Sequence, residues 1–171
     1  MIEILILYII RKSEKTIYGI RKDIIELFGT FTEPSIGTIY PALHRLEDEK
    51  AVSLTTRMSE GGKKSSYYSI TPKGTELFRK MFFHAGSDNP SLFFTHVQAR
   101  LGTMGILSRE DKIKFVNETL RKTDIFLFGL EKKLEDEFIE LDYYQRKLHE
   151  RTVNELKSLM EFVKNLDIDA K

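Results

Sequence analysis

The chain has 171 residues, 41% of them hydrophobic and 31% charged, with a formal net charge of +1. That balance excludes a disordered or fibrous chain, and the length suits one ordinary domain or a small domain with a helical extension. Cysteine is absent, which excludes disulfides and thiolate metal sites and fits a reducing cytoplasm.

The N-terminal run Ile2-Glu3-Ile4-Leu5-Ile6-Leu7-Tyr8-Ile9-Ile10 is apolar, but Glu3 stands where a signal peptide carries basic residues. At about ten residues it is too short to span a bilayer. It reads as a buried helix over 2–12, and no membrane association is expected. Thr16 is placed to cap a second helix over 17–28, with Ile17, Ile20, Ile24, Leu27 and Phe28 at helical spacing and Gly29 closing it.

Ser35 is the expected cap of a third helix over 36–49, whose inward stripe is Ile36, Ile39, Leu43 and Leu46. Its other side carries Gly37, Thr38, Pro41, His44 and Arg45, with Tyr40 at the boundary. Residues 51–58 and 65–71 read as two strands joined by a Gly-Gly turn, a β-hairpin. Thr71-Pro72 then opens a fourth helix, threonine as cap and proline at its first position. Three helices, a hairpin and a helix within about 80 residues make a winged helix-turn-helix. The fold class is therefore mainly α with a small β-hairpin: a winged helix-turn-helix domain over 1–84 and a helical dimerisation domain over 85–171. Residues 1–80 carry a net charge of +3 and the remainder −2, a division that suits a polyanionic partner for the first half.

Beyond residue 84 the pattern changes. A short helix over 92–101 precedes a break at Gly102–Gly105, and Ser108 opens a long helix with Glu110 and Asp111 in its first turn. A break is expected near 140–142 and a last helix to about Leu166; with no Gly or Pro beyond Gly129, one continuous helix is the alternative. A seven-residue repeat runs through Ile113, Leu120, Leu127, Leu134, Leu141 and Leu148, with Val116, Thr123 and Leu130 as companions until Glu137 breaks the series. With Leu156, Leu159 and Val163 on the last helix, these positions are expected to meet the same helices of a second copy, forming a homodimer. Gly129, inside the long helix, costs roughly 1 kcal/mol against alanine and suggests close approach of another backbone.

The stretch Pro34-Ser35-Ile36-Gly37-Thr38-Ile39-Tyr40-Pro41-Ala42-Leu43-His44-Arg45-Leu46-Glu47 closely resembles the recognition helix of the PadR family, the phenolic acid decarboxylase regulators. Ser59-Glu60-Gly61-Gly62-Lys63-Lys64-Ser65-Ser66-Tyr67-Tyr68-Ser69-Ile70-Thr71-Pro72-Lys73-Gly74 resembles the same family's wing and its exit into the fourth helix. The resemblance covers residues 3–80 and implies a transcriptional regulator, a repressor in the cytoplasm that binds a near-palindromic double-stranded DNA operator as a homodimer. It also implies a small-molecule effector, for which the aromatic positions Phe93, Phe94, Phe126 and Phe128 are candidates. The chain departs from the family in having Tyr18-Gly19-Ile20 where the family often carries His-Gly-Tyr. It also has no tryptophan, so ligand stacking between tryptophans, as in a drug-binding member of the family, does not carry over.

The expected DNA contacts are Ser35, Gly37, Thr38, Tyr40, Pro41, His44 and Arg45 on the helix and Gly62, Lys63 and Lys64 at the wing tip. Thr38 and His44 suit base edges, Tyr40 and Arg45 phosphates, and the wing lysines neutralise phosphate charge. His44, His84, His96 and His149 are not spaced as metal ligands, and no cofactor or catalytic motif is present, so neither a metal nor an enzyme is expected. The competing reading is a protein-interaction scaffold that uses the winged helix without binding an operator.

Overall fold

The computed structural model describes residues 1–58, 62, 64–84 and 89–170, which form two compact units, Met1–Met104 and Gly105–Lys171. The first contains α1 (Ile2–Ile10), α2 (Ile17–Phe28), α3 (Ile36–Asp48), β1 (Val52–Met58), β2 (Lys64–Ile70), α4 (Pro72–His84) and α5 (Pro90–Thr103). A short 3-10 turn over Met104–Ile106 follows, and the second unit holds α6 (Arg109–Glu135) and α7 (Tyr143–Lys164).

In α1, Ile4, Leu5, Ile6, Leu7, Ile9 and Ile10 are all buried. A helix apolar on every side has to be surrounded, and α1 packs against α2, α3, α4 and α5 as the central post of its unit. The other helices bury single stripes: Ile20, Ile24 and Phe28 of α2, and Ile39, Ala42, Leu43 and Leu46 of α3. On β1, Val52 is buried but Leu54 is 42% exposed, and β2 adds the buried Tyr68, so the hairpin contributes to the core through its base and one face of β2.

The compact units divide at 104/105 and not at 84/85, the boundary expected from sequence. The helix expected over 92–101 is longer and packs on α1 and α2. Gly102, expected as a helix break, lies inside α5, where a Cβ would stand 2.7 Å from Cε1 of Phe28. The missing side chain makes room for the Phe28 ring, so α5 completes the first core.

The second unit is a helical hairpin. The break between α6 and α7 spans 136–142, and Asp142 opens α7 with a reciprocal capping box: its side chain accepts from the Gln145 amide and the Gln145 side chain accepts from its own amide. A single continuous helix is thereby excluded. Arg146 donates to the Leu134 carbonyl at 3.0 Å, Lys157 pairs with Glu131 at 2.7 Å, and Lys112 donates to the Ile168 carbonyl at 3.2 Å, all consistent with antiparallel helices. The buried row of α6 is Phe115, Thr119, Thr123 and Leu127; that of α7 is Val153, Leu156 and Val163.

Leu127, Leu156 and Val163, expected to face a second chain, are thus buried within this one. Ile113, Val116, Leu120, Leu130, Leu134 and Leu159 are partly buried and Leu148 is 60% exposed. Leu141 lies outside both helices. The seven-residue repeat therefore does not map onto one exposed seam, because antiparallel pairing inside the chain draws on a row four residues apart. The buried threonines cost little: Thr123 donates to the Thr119 carbonyl at 2.7 Å and so buries no unpaired hydroxyl.

Candidate nucleic-acid interface

The approach to α3 is fixed from α2. The Thr16 hydroxyl accepts from the Gly19 amide at 3.2 Å and starts α2. Further along α2, Arg21 Nε donates to the Pro34 carbonyl at 3.1 Å, pinning the residue before the cap of α3. Ser35 is that cap: its Oγ accepts from the Thr38 amide at 3.2 Å and lies 3.1 Å from the Thr38 hydroxyl. A cap of this kind stabilises a helix by about 1 kcal/mol.

At 100° per residue, the exposed residues of α3 fall on one strip opposite the core stripe. Gly37, Thr38, Tyr40, Pro41, His44 and Arg45 are all exposed on it, as is the cap Ser35. Gly37 and Pro41 sit one turn apart in the middle of the strip. Pro41 lacks the amide that would bond the Gly37 carbonyl, and its ring presses on the position four residues back. A Cβ on Gly37 would meet only Ser35 Oγ, at 3.6 Å, so nothing inside the chain demands glycine there. The flat, small surface faces outward. At the far end of the strip Asp48 is also exposed, beside Glu47 and Glu49, and this acidic end confines any polyanion to the first turns of α3.

Tyr40 and His44 stack edge to face with ring centroids 4.3 Å apart. His44 Nδ1 lies 3.7 Å from Glu47 Oε2, an ion pair only when the imidazole is protonated, and Nε2 is the nitrogen turned from that carboxylate. Arg45 differs from the expectation of a free phosphate contact. Its Nε donates to Glu3 Oε1 at 3.2 Å and its Nη2 reaches the same oxygen, which ties the end of α3 to the start of α1. Burial pushes the Glu3 carboxyl up, but hydrogen bonds from Arg45 and from its own backbone, with the N-terminal ammonium nearby, outweigh this and hold it below the ordinary value.

The hairpin pairs Val52 with Ile70 through Met58 with Lys64, antiparallel throughout. Lys15, in the loop before α2, adds one bridging residue to its edge: its amide donates to the Tyr68 carbonyl at 3.1 Å and its carbonyl accepts from the Tyr68 amide at 2.8 Å. The wing is thereby bound to the segment that carries α2. Tyr68 is buried at this junction; burial pushes its phenol up, and negative charge on Glu47 and Tyr40 adds to the shift. On the opposite strand Arg57 is 56% exposed, lies 5.5 Å from the centre of the Tyr67 ring, and pairs with Glu14. At the tip, Gly62 has φ +75, a conformation L side chains rarely adopt, and Lys64 is exposed. Lys63, with residues 59–61, lies outside the described residues.

The four aromatic candidates for an effector pocket divide between the units, Phe93 and Phe94 in the first and Phe126 and Phe128 in the second. Phe93 is buried core, Phe94 and Phe126 are partly buried, and Phe128 is 71% exposed. A cavity of about 220 Å³ in the first unit is lined instead by residues of α1, α4 and α5, among them Glu3, Ile4, Met81, His96 and Arg100. Among the described residues, no group of three His, Asp or Glu side chains is gathered to hold a metal ion, and no helix is long and apolar enough to cross a membrane.

Glu3, Glu14, Lys15, Arg21, Asp48 and Arg57 join the site without having been singled out from the sequence. Each acts through a partner distant in the chain or through its place on a face, and neither leaves a local pattern.

A capped helix presenting a small polar strip, set behind a second helix and followed by a glycine-tipped hairpin, defines a winged helix-turn-helix protein. Residues 6–80 match the model of the transcriptional regulator PadR-like family. A PadR-like transcriptional regulator from Bacillus cereus is 38% identical, the match covering 46% of this chain and 74% of that one, with a TM-score of 0.40. A PadR family regulator from Clostridium difficile is 30% identical over 46% of this chain and 80% of its own, TM-score 0.40. PadR of Bacillus subtilis, solved in complex with operator DNA, is 20% identical over 95% of this chain and 94% of its own, TM-score 0.44. No curated protein matches the sequence. The chain belongs to the PadR-like family of transcriptional regulators.

Proposed function

We propose that the protein is a cytoplasmic repressor that binds a near-palindromic operator as a homodimer, placing the first turns of α3 in the major groove and the hairpin tip beside the backbone. The observation that carries the reading is the outer strip of α3: Ser35, Gly37, Thr38, Tyr40, Pro41 and His44 share one exposed face, and Gly37 has only an ordinary contact there. Small residues allow close approach to base edges, Thr38 and His44 carry the donors and acceptors, and the helix's positive end favours a phosphate. Arg45, Lys63 and Lys64 supply cations for the backbone. Regulation, not catalysis, is the proposed activity.

Dimerisation is assigned to the second unit. Ile125 and Phe128 on α6, and Phe138, Tyr143, Tyr144 and Leu148 around the turn into α7, are more than half exposed. Gly129, next to Phe128 on α6, has nothing within 4 Å of its Cβ position, so its close approach is left for a second copy. Two reading helices held this way should meet half-sites about 34–36 Å apart. Release by a small molecule completes the proposal, with the cavity beside Glu3 as a candidate space in the first unit.

Selection of bound duplexes from a random pool tests the reading. A recovered site with two-fold symmetry and half-sites one helical turn apart is expected. A pool that shows no enrichment, from a chain that is folded by circular dichroism, contradicts it.

A further inference from the structure

The two exposed arginines on the proposed DNA-reading elements, Arg45 on α3 and Arg57 on β1, are both already engaged by carboxylates. Arg45 is held by Glu3 through Nε at 3.2 Å and through Nη2, and Arg57 by Glu14 through Nη2 at 3.0 Å and through Nη1. The two carboxylates come from α1 and the loop after it, 42 and 43 residues away in sequence. The asymmetry of exposure runs the same way in both pairs: 58% for Arg45 against 16% for Glu3, and 56% for Arg57 against 31% for Glu14. The acids are seated in the fold, while the guanidinium groups lie at the surface.

A carboxylate presents a guanidinium with the same planar pair of acceptors as a phosphate does. We propose that Glu3 and Glu14 are internal phosphate surrogates: they neutralise Arg45 and Arg57 in extended poses and give them up only where docking brings a DNA phosphate into the carboxylate's place. The inference rests on the DNA-binding reading above. A random duplex, which the reading face does not dock against in one register, meets two neutralised arginines. The operator, held in register, exchanges both. Exposed ion pairs are weak enough for that exchange. The acids therefore act as specificity-determining residues that lower binding to random DNA more than binding to the operator.

Counterion release gives the test a number. Each arginine newly placed on a phosphate steepens the log–log salt dependence by about 0.9, equivalent to about eightfold tighter binding at 0.1 M salt. Glu3→Gln and Glu14→Gln are each expected to steepen the slope on a short random-sequence duplex by about that amount. Binding to the tightest duplex recovered from a random pool should change less, so the ratio of the two affinities falls. In an Arg45→Gln background, Glu3→Gln should leave the slope on random duplex unchanged, since its effect passes through that arginine. A normal slope and affinity on random duplex in both acid variants overturns the inference while leaving the DNA-binding reading intact. So does an equal loss on both duplexes with a lowered melting temperature, the signature of merely structural acids. A wild-type chain that binds neither duplex overturns the DNA-binding reading itself.

Discussion

Gly74 lies against the Ala51 carbonyl so closely that a Cβ built on it would stand 2.0 Å from the Ala51 oxygen and 2.8 Å from Cγ1 of Ile70. The first turn of α4 is thus wedged onto the junction between α3 and β1. Thr71 locks it there, donating to the Lys50 carbonyl at 2.7 Å and accepting from the Gly74 amide at 3.0 Å. The relationship joins the reading helix, the wing and α4 at one point.

Gly74→Ala should therefore be severely destabilising. The clash is with backbone, which cannot rotate away, and relief would separate α4 from the Thr71 hydrogen bonds. A loss of about 2–4 kcal/mol is expected, in the range of overpacked core sites and lost networks. Thermal unfolding followed by circular dichroism measures it. A melting temperature equal to wild type would refute the wedge.

Lys50 sits just past α3 with φ 57, in the left-handed region. Its amide donates to the Glu47 carbonyl and the Ala51 amide to the Leu46 carbonyl, both at 2.8 Å, the paired closure of a Schellman ending. Glycine adopts this conformation without the cost a Cβ imposes. Lys50→Gly should raise stability by about 0.5–1 kcal/mol, read as a shift of the urea midpoint at unchanged slope. A lowered midpoint would show that the lysine side chain contributes more than its backbone costs.

Ser35 separates the stability of α3 from its recognition. Ser35→Ala removes the cap and should cost about 1 kcal/mol. Ser35→Asp keeps an equivalent cap but sets a negative charge on the proposed DNA face. It should fold like wild type, within about 0.5 kcal/mol, and bind duplex DNA at least tenfold more weakly. Undiminished binding by a folded Ser35→Asp chain would remove this end of α3 from the interface.

The Glu3 carboxyl is held below its ordinary value, the raising effect of burial being outweighed by hydrogen bonds from Arg45 and its own backbone and by nearby positive charge. A lowered folded-state value contributes stability that is complete above the unfolded value, about 4.3, and is lost as pH falls through the folded one. Wild type should lose this increment in the acid window below about pH 4.5. Glu3→Gln should lose less stability between pH 6 and pH 3, and parallel pH profiles of the two melting temperatures would contradict the assignment.

What the sequence made legible was local. Thr16, Ser35, Ser108 and the Thr71-Pro72 pair each start a helix where they were expected to, because a cap is a bond between a side chain and an amide two or three residues on. The reading strip of α3 was legible for the same reason, since helical period alone puts Gly37, Thr38 and His44 opposite Leu43 and Leu46. Pairings across the chain were not. The bridge of Lys15 to Tyr68 involves one residue on each side and has no period to read. The Arg45–Glu3 contact spans 42 residues and leaves Arg45 looking like a free cation. The role of Leu127 and Leu156 failed for a different reason. An apolar stripe states that a helix needs a partner, and the hairpin supplies one from within the chain before any second copy is involved.

The central claim is that the strip of α3 and the wing read duplex DNA by sequence. The most direct measurement is fluorescence anisotropy of the wild-type chain against its selected duplex and a scrambled one of the same composition, across a range of salt concentrations. The account predicts that log affinity falls linearly with log salt and that the selected duplex binds at least about a thousandfold more tightly at physiological salt. Equal affinity for the two duplexes at every salt concentration would contradict it.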